Sequence, residues 1–402
     1  MRVLVVGAGA VGSAIAIAAR SSDLLSAIVV ADLDPARAKR AVHAVGDDDR
    51  FVARSVNASS AAEVAALARA EHIDAIVNAC DPRFNPPIFA GAFDAGCHYL
   101  DMAMTLSEPH PQRPYELPGR LLGEDELGAN DAWVERGQLA LVGMGVEPGL
   151  SDVFARYAAD HLFSSIDEVG VRDGSDLTIS GYAFAPTFSI WTTIEECLNP
   201  ALVWERDRGF FTLPPFSEPE TFVFPEGIGP VECVHVEHEE VVLIPRWIDC
   251  RRVTFKYGLG AEFIDALRIL DKTGLASKTP VRVGDVNVSP RDVVAAVLPD
   301  PAALGDRMHG RTCAGTFVTG TGVDGGARST YLYHVADNGE TMARHGVQAV
   351  AWQTAINPVV ALELLAAGVW RGAGVLGPEA FDAVPFLERM RERGEAWHVD
   401  DR

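Results

Sequence analysis

Gly7-Ala8-Gly9-Ala10-Val11-Gly12 stands directly after the hydrophobic run Val3–Val6 and directly before an Ala- and Ile-rich stretch. In that setting the first glycine permits a tight turn, the second lets the backbone approach a pyrophosphate, and the third lets helix and strand pack closely. The helix start behind the loop offers unpaired N–H groups and the positive end of its dipole to a phosphate. Twenty residues past Gly12, the run Ala27–Ala31 ends at Asp32. A carboxylate there can accept hydrogen bonds from both ribose hydroxyls and repels a 2′-phosphate. These residues predict a site for NAD, with NADP possible because Arg37 can move to meet a phosphate. Asn57, after the third apolar run, can pair with an adenine edge or serve only its turn. Asn78-Ala79-Cys80 follows the fourth run, where parallel strands end at the ligand crevice, and is expected beside the nicotinamide ribose.

A second set of residues suits acid–base work. Glu147 follows the last strand expected in the first half and precedes Pro148-Gly149. It can bind a substrate ammonium or relay its proton, or it can be a solvated acid favoured by the helix dipole. Glu232–Glu240, taken as part of a strand over Val231–Ile244, places His238 and Glu240 on one face and His235, Glu237 and Glu239 on the other. The two histidines then diverge, and no metal site is expected. His238 and Glu239 join Glu147 as catalytic candidates. Asp101, ending the fifth strand, Glu240, and Arg246 as a carboxylate partner are the substrate-binding candidates.

The elements that must carry these residues follow from hydrophobic rhythm. Strands at Val3–Val6, Ala27–Ala31, Phe51–Ser55, Ala75–Asn78, Tyr99–Asp101 and Leu139–Gly143 alternate with helices at Pro35–Ala44 and Ser60–Ala70. Such alternation predicts an α/β domain, a doubly wound parallel Rossmann sheet over residues 1–145. After Glu147-Pro148-Gly149 come a helix over Leu150–Phe163 and strands at Glu168–Ala183, Arg251–Tyr257, Cys313–Gly320 and Ser329–Val335. Residues 146–345 are therefore expected to form an α+β domain with a largely antiparallel sheet. Asp324-Gly325-Gly326 marks a hairpin, and Ser289-Pro290-Arg291-Asp292 starts a helix. Residues 346–402 read as helical.

The chain has 402 residues, 48% of them hydrophobic, so a large core can be buried. Asp and Glu number 56 against 34 Lys and Arg, a net charge of −22 that opposes nucleic acids and anionic lipid surfaces. No nucleic-acid or membrane partner is expected. Six cysteines without a C-x-x-C pair suit a reducing cytoplasm. The uncharged stretch Val3–Ala19 carries the three loop glycines, and Leu177–Ile194 and Gly346–Leu362 each contain proline, glycine and polar side chains. None reads as a secretory signal or a bilayer span.

Gly143–Asp152, His238-Glu239-Glu240, Leu298-Pro299-Asp300-Pro301 with Gly310-Arg311-Thr312-Cys313, and Gly372-Ala373-Gly374-Val375 through Phe386 occur in an order that resembles the saccharopine dehydrogenase family. Within it the chain is most similar to the carboxynorspermidine branch, with L-lysine 6-dehydrogenases more distant. The resemblance implies a Rossmann domain, an inserted catalytic and dimerisation domain, and a C-terminal segment returning to pack on the first. It also implies a cytoplasmic homodimer that transfers hydride between NAD(P) and the imine of an amine and a carbonyl compound, acting on an amino acid or polyamine carboxylate. The chain departs from the branch where Asp32-Leu33-Asp34 replaces a Ser-Arg-Thr type sequence, and from saccharopine reductases where Glu147 replaces an Asp. The alternative is a dinucleotide-binding sensor without turnover.

Overall fold

The computed structural model describes residues 1–46 and 48–402. Its first part alternates β1 (Arg2–Val6), α1 (Ala10–Ala19), β2 (Ala27–Asp32), α2 (Pro35–Val45), β3 (Phe51–Ser55), α3 (Ala61–Ala70) and β4 (Ala75–Asn78). It continues with α4 (Asn85–Ala95), β5 (His98–Asp101), α5 (Glu124–Gly128), α6 (Asn130–Glu135) and β6 (Leu139–Leu141). The second part holds α7 (Leu150–His161), β7 (Phe163–Ser175), β8 (Thr178–Ile179), α8 (Ile190–Leu198), β9 (Ala201–Glu205), β10 (Gly209–Leu213), β11 (Glu220–Phe224) and β12 (Gly229–His235). Next come α9 (Glu240–Trp247), β13 (Cys250–Gly258), α10 (Ala261–Lys272), β14 (Val281–Val283), β15 (Val286–Val288), α11 (Pro290–Val297), β16 (Met308–His309), β17 (Arg311–Gly322) and β18 (Ala327–Asp337). The chain closes with α12 (Asn338–His345), α13 (Ala349–Ala366), β19 (Gly374–Leu376), α14 (Ala383–Glu392) and β20 (Trp397–Asp401).

The first sheet is parallel throughout, in the order β19-β6-β5-β4-β1-β2-β3. Leu4, Ile28, Ile76 and Leu100 are fully buried, as expected when helices cover both faces of a parallel sheet. The helices start where the side chains permit. Asp34 caps α2 by accepting the Ala36 N–H, with Pro35 at the first helical position. Ser60 caps α3 and Ser289 caps α11 in the same manner.

The second sheet is largely antiparallel, in the order β10-β9-β13-β7-β17-β18-β20, with the β11–β12 hairpin joined to β13. One pair, β13 with β7, is parallel. α7 and α9 pack on it and join it to the first core. β17 and β18 are connected by the expected hairpin turn, where Gly322 N–H donates to Gly326 O at 2.8 Å.

Glu168–Ala183 is not one strand, since β7 ends at Ser175 and β8 covers only Thr178–Ile179, and two further readings need correction. Val231–Ile244 is not one strand, because β12 stops at His235 and α9 begins at Glu240. Val241-Val242-Leu243-Ile244 is apolar on every side and wholly buried, and such a run does not distinguish a strand from a short buried helix. The C-terminal part is not helical alone, since β19 extends the first sheet beside β6 and β20 extends the second beside β18. Strands of three and five residues are too short to show a period. α13, 18 residues long and apolar enough by length and composition to cross a bilayer, is 78% buried within the fold, where it packs on α1.

Trp133 on α6 is 1% exposed and meets the rings of Phe89 and Phe93 at 4.8 and 5.3 Å. Trp133→Ala is expected to lower unfolding free energy by about 3–5 kcal/mol. A denaturation midpoint unchanged from the parent would refute that packing role.

Candidate active site

A cleft of about 1080 Å³ opens at the carboxyl ends of β1, β2 and β4, between the first sheet and the second part of the chain. Gly7 turns the chain at φ 103° and its N–H donates to Ala31 O at 2.8 Å. A Cβ on Gly12 would lie 1.9 Å from the Gly7 carbonyl oxygen, so glycine alone permits this approach of α1 to the turn. Gly9 caps α1 without a side chain and has open space in front of it. Gly9, Ala10 and Val11 therefore leave first-turn N–H groups toward the cleft wall, as a pyrophosphate requires.

Asp32 shapes the same wall. Its Oδ2 accepts Ala8 N–H and its Oδ1 accepts Asp34 N–H, each at 2.9 Å. Asn57 lines the cleft, with its Oδ1 accepting Ser59 N–H at 3.0 Å in its own turn. Asn78 is buried, donates to Asn85 Oδ1 at 2.7 Å and Tyr99 OH at 3.1 Å, and accepts Cys80 N–H at 3.0 Å. It positions Ala79 and Cys80 against Gly7. Burial, with Asp81 nearby, pushes the Cys80 thiol up to about 12, so it remains neutral and donates to Val6 O at 3.3 Å.

The other end of the cleft is acidic. Glu147 and His238 reach its wall, joined by Asp173, Glu196 and Tyr257. The remaining substrate candidates lie elsewhere. Asp101 is buried behind the loop after β6, where its Oδ1 accepts Gly143 N–H at 2.7 Å, and it does not line the cleft. Arg246 is on the exposed last turn of α9 beside Leu121 and Glu124, away from the cleft. Glu239 and Glu240 stand one layer behind His238. Glu239 Oε1 accepts Met104 N–H at 3.0 Å, and Glu240 Oε1 accepts Ser151 OH at 2.8 Å.

Because the chain turns between β12 and α9, His238, Glu239 and Glu240 converge instead of alternating, with ligand-type atoms within 4.8 Å of one another. His238 Nδ1 lies 2.5 Å from Glu240 Oε2 and 3.5 Å from Glu239 Oε2, and its ring stacks on Phe255 at 3.7 Å. Burial opposes charge on the imidazole. Glu240, Glu239 and Glu196 outweigh it and push His238 up to about 10, so the imidazole is protonated at neutral pH. His235 is a separate group: its Nδ1 meets Phe255 O at 3.1 Å, and burial lowers it to about 4.

Asp173, Glu196 and Tyr257 were not identified from the sequence, although a signal exists. In the parallel pair, Val169 faces Val253, Val171 faces Phe255, and Asp173 faces Tyr257. A charged side chain thus continues an apolar stripe, and an acid in such a position needs a partner. Burial pushes Asp173 up to about 6, against hydrogen bonds from Glu147 and Tyr257 and the charge of His238. Burial and Asp173 hold Glu147 well above the usual carboxyl range. Glu147 Oε1 is shielded from solvent without a hydrogen-bond partner. Burial also raises Glu196 to about 8.

Both arginines on the cleft wall are already engaged. Arg37 pairs with Asp300 at 3.2 Å, and Arg83 pairs with Asp81 at 3.3 Å and Asp292 at 3.5 Å.

Residues 3–141 match the family model described as Saccharopine dehydrogenase NADP binding domain, and residues 145–395 match Saccharopine dehydrogenase C-terminal domain. A carboxynorspermidine synthase of Vibrio alginolyticus is 30% identical over 412 residues, which cover 100% of this chain and 97% of that protein. A carboxyaminopropylagmatine dehydrogenase of Synechocystis is 27% identical over 398 residues, covering 99% of this chain and 97% of that one. Among solved structures, apo saccharopine dehydrogenase (L-Glu forming) from Saccharomyces cerevisiae superposes with a TM-score of 0.69 at 13% identity, covering 100% of this chain and 99% of that one. At that identity the likeness is one of fold.

Proposed function

The chain belongs to the saccharopine dehydrogenase family of NAD(P) oxidoreductases, and from that premise we propose that it makes or breaks a secondary amine. An amine and a carbonyl compound condense to an imine with loss of water; addition of hydride to the imine carbon and a proton to the nitrogen gives the product. Gly7–Gly12 and Asp32 would hold the dinucleotide, whose chemistry would supply that hydride.

The residues of this chain handle the proton and the charge. Glu147, its carboxyl held above the usual range by burial and Asp173, stands as the acid that keeps the imine nitrogen protonated and therefore electrophilic. Ionised Asp173, fixed by Tyr257 across the strand pair, faces the resulting cation. His238, held by Glu240 Oε2 at 2.5 Å, lies on the same wall.

The carrying observation is that the acids Glu147, Asp173 and Glu196 meet no unpaired guanidinium on the described cleft wall. That suits a substrate with ammonium groups, a polyamine carboxylate, better than a dicarboxylate. The test is to follow NADH and NADPH oxidation with panels of polyamines, amino acids, aldehydes and keto acids. Turnover with a polyamine and an amino-bearing aldehyde is expected. A folded protein that binds neither dinucleotide would remove the reading.

NAD(H) is the proposed cofactor, because Asp32 and Asp34 put two carboxylates on the wall at the end of β2, where they would repel a 2′-phosphate, and Arg37 is paired with Asp300. The protonation pattern also has a pH signature. Catalysis needs Asp173 ionised and Glu147 protonated, so kcat/KM rises as Asp173 loses its proton around pH 6 and declines when Glu147 ionises at higher pH. Asp173→Asn should erase the acid limb, and persistence of that limb would assign it to another group.

A further inference from the structure

Leu298-Pro299-Asp300-Pro301 lies on the second part of the chain, after α11, yet it forms the cleft wall opposite β2. Asp300 is held from two sides. Its Oδ1 accepts Ala302 N–H at 3.0 Å, capping the helical turn Pro301–Ala303, and flanking prolines restrict its backbone. Its Oδ2 accepts from Arg37 Nη2 at 3.2 Å.

Arg37 is in the first turn of α2, directly after the β2 terminus that carries Asp32 and Asp34. It is the cation on this part of the described wall that can reach a substituent on the 2′ oxygen of a ribose held by Asp32. We propose that Asp300 is a specificity-determining residue: by engaging Arg37 from across the cleft, it withholds the guanidinium from a 2′-phosphate and so biases the protein toward NAD(H). The bias does not depend on the fold of the first domain alone, since the discriminating carboxylate is supplied by the other part of the chain. This inference rests on the reading that the cleft holds a dinucleotide.

The pair is partly exposed, with side-chain accessibilities of 41% for Arg37 and 54% for Asp300, so solvent and salt moderate its effect. Asp300→Asn removes the charge while leaving an oxygen to cap Ala302. Dissociation constants for NADH and NADPH, measured by calorimetry on the full chain, read the result directly. Asp300→Asn is expected to shift the ratio of the two constants toward NADPH by about three- to fivefold, the scale of one partly screened charge. In an Arg37→Ala background the same substitution should shift the ratio by less than about twofold, because the partner it releases is gone.

An unchanged ratio in Asp300→Asn overturns the inference while leaving dinucleotide binding intact. An equal shift with and without Arg37 also overturns it, since Asp300 would then act on the phosphate directly. If the parent protein binds neither NADH nor NADPH, the dinucleotide reading and this inference fall together.

Discussion

Glu147→Gln should lower turnover by about 10²–10⁴-fold, the usual span for loss of a positioned acid, while NADH binding changes by less than about twofold. Two features of the site separate these effects. Glu147 stands at the acidic end of the cleft, whereas the residues proposed to hold the dinucleotide lie in the β1–α1 turn and at the end of β2. Glutamine keeps the shape and can still hydrogen-bond to Asp173, but it cannot release a proton to a nitrogen. Stopped-flow reduction of a preformed imine, alongside calorimetry with NADH, distinguishes chemistry from binding. Full activity in the variant would move the acid elsewhere, and loss of NADH binding would mean that Glu147 acts through the cofactor pocket.

Replacing Asp32 by Ser should move the NADH-to-NADPH preference by about 10–100-fold toward NADPH. A charged acceptor for ribose hydroxyls contributes about 1.5–3 kcal/mol, and the same carboxylate repels a 2′-phosphate. The effect exceeds that expected for Asp300 because Asp32 would contact the ribose itself. Since Asp32 also accepts the Ala8 and Asp34 N–H groups, the variant loosens the turn, and both affinities are expected to fall with NADH losing more. Kd ratios from titrations at fixed ionic strength, with a thermal melt to verify folding, make the comparison. An unchanged ratio would take away the role given to Asp32.

The glycine-turn end of the cleft was legible because its geometry is local. Gly7 to Gly12 form one turn, and Asp32 ends the next strand, so a strand, glycine loop, helix and acid on nearby parallel strands already imply their neighbours. The acidic end was legible only in part. Glu147 and His238 reach the cleft, while Asp101, chosen as the end of the fifth strand, and Arg246, chosen because it follows His238-Glu239-Glu240, do not. Arg246 failed because a strand assigned through Ile244 would have continued toward the crevice, whereas α9 turns that segment and sends its last turn outward.

The amino-acid order alone was enough to determine the parallel first sheet, its glycine turn, the helix start at Ser289, and the mixed second part, since each depends on periodicity or on contacts a few residues apart. Tertiary structure decided which acids meet. The β7–β13 register sets Asp173 against Tyr257, Glu147 arrives from the first sheet, and His238 is turned toward them by a bend no alternation rule reveals. The physical reason is that the proton affinity of a carboxyl group depends on the charges and solvent around it, and here those neighbours come from segments far apart in the chain.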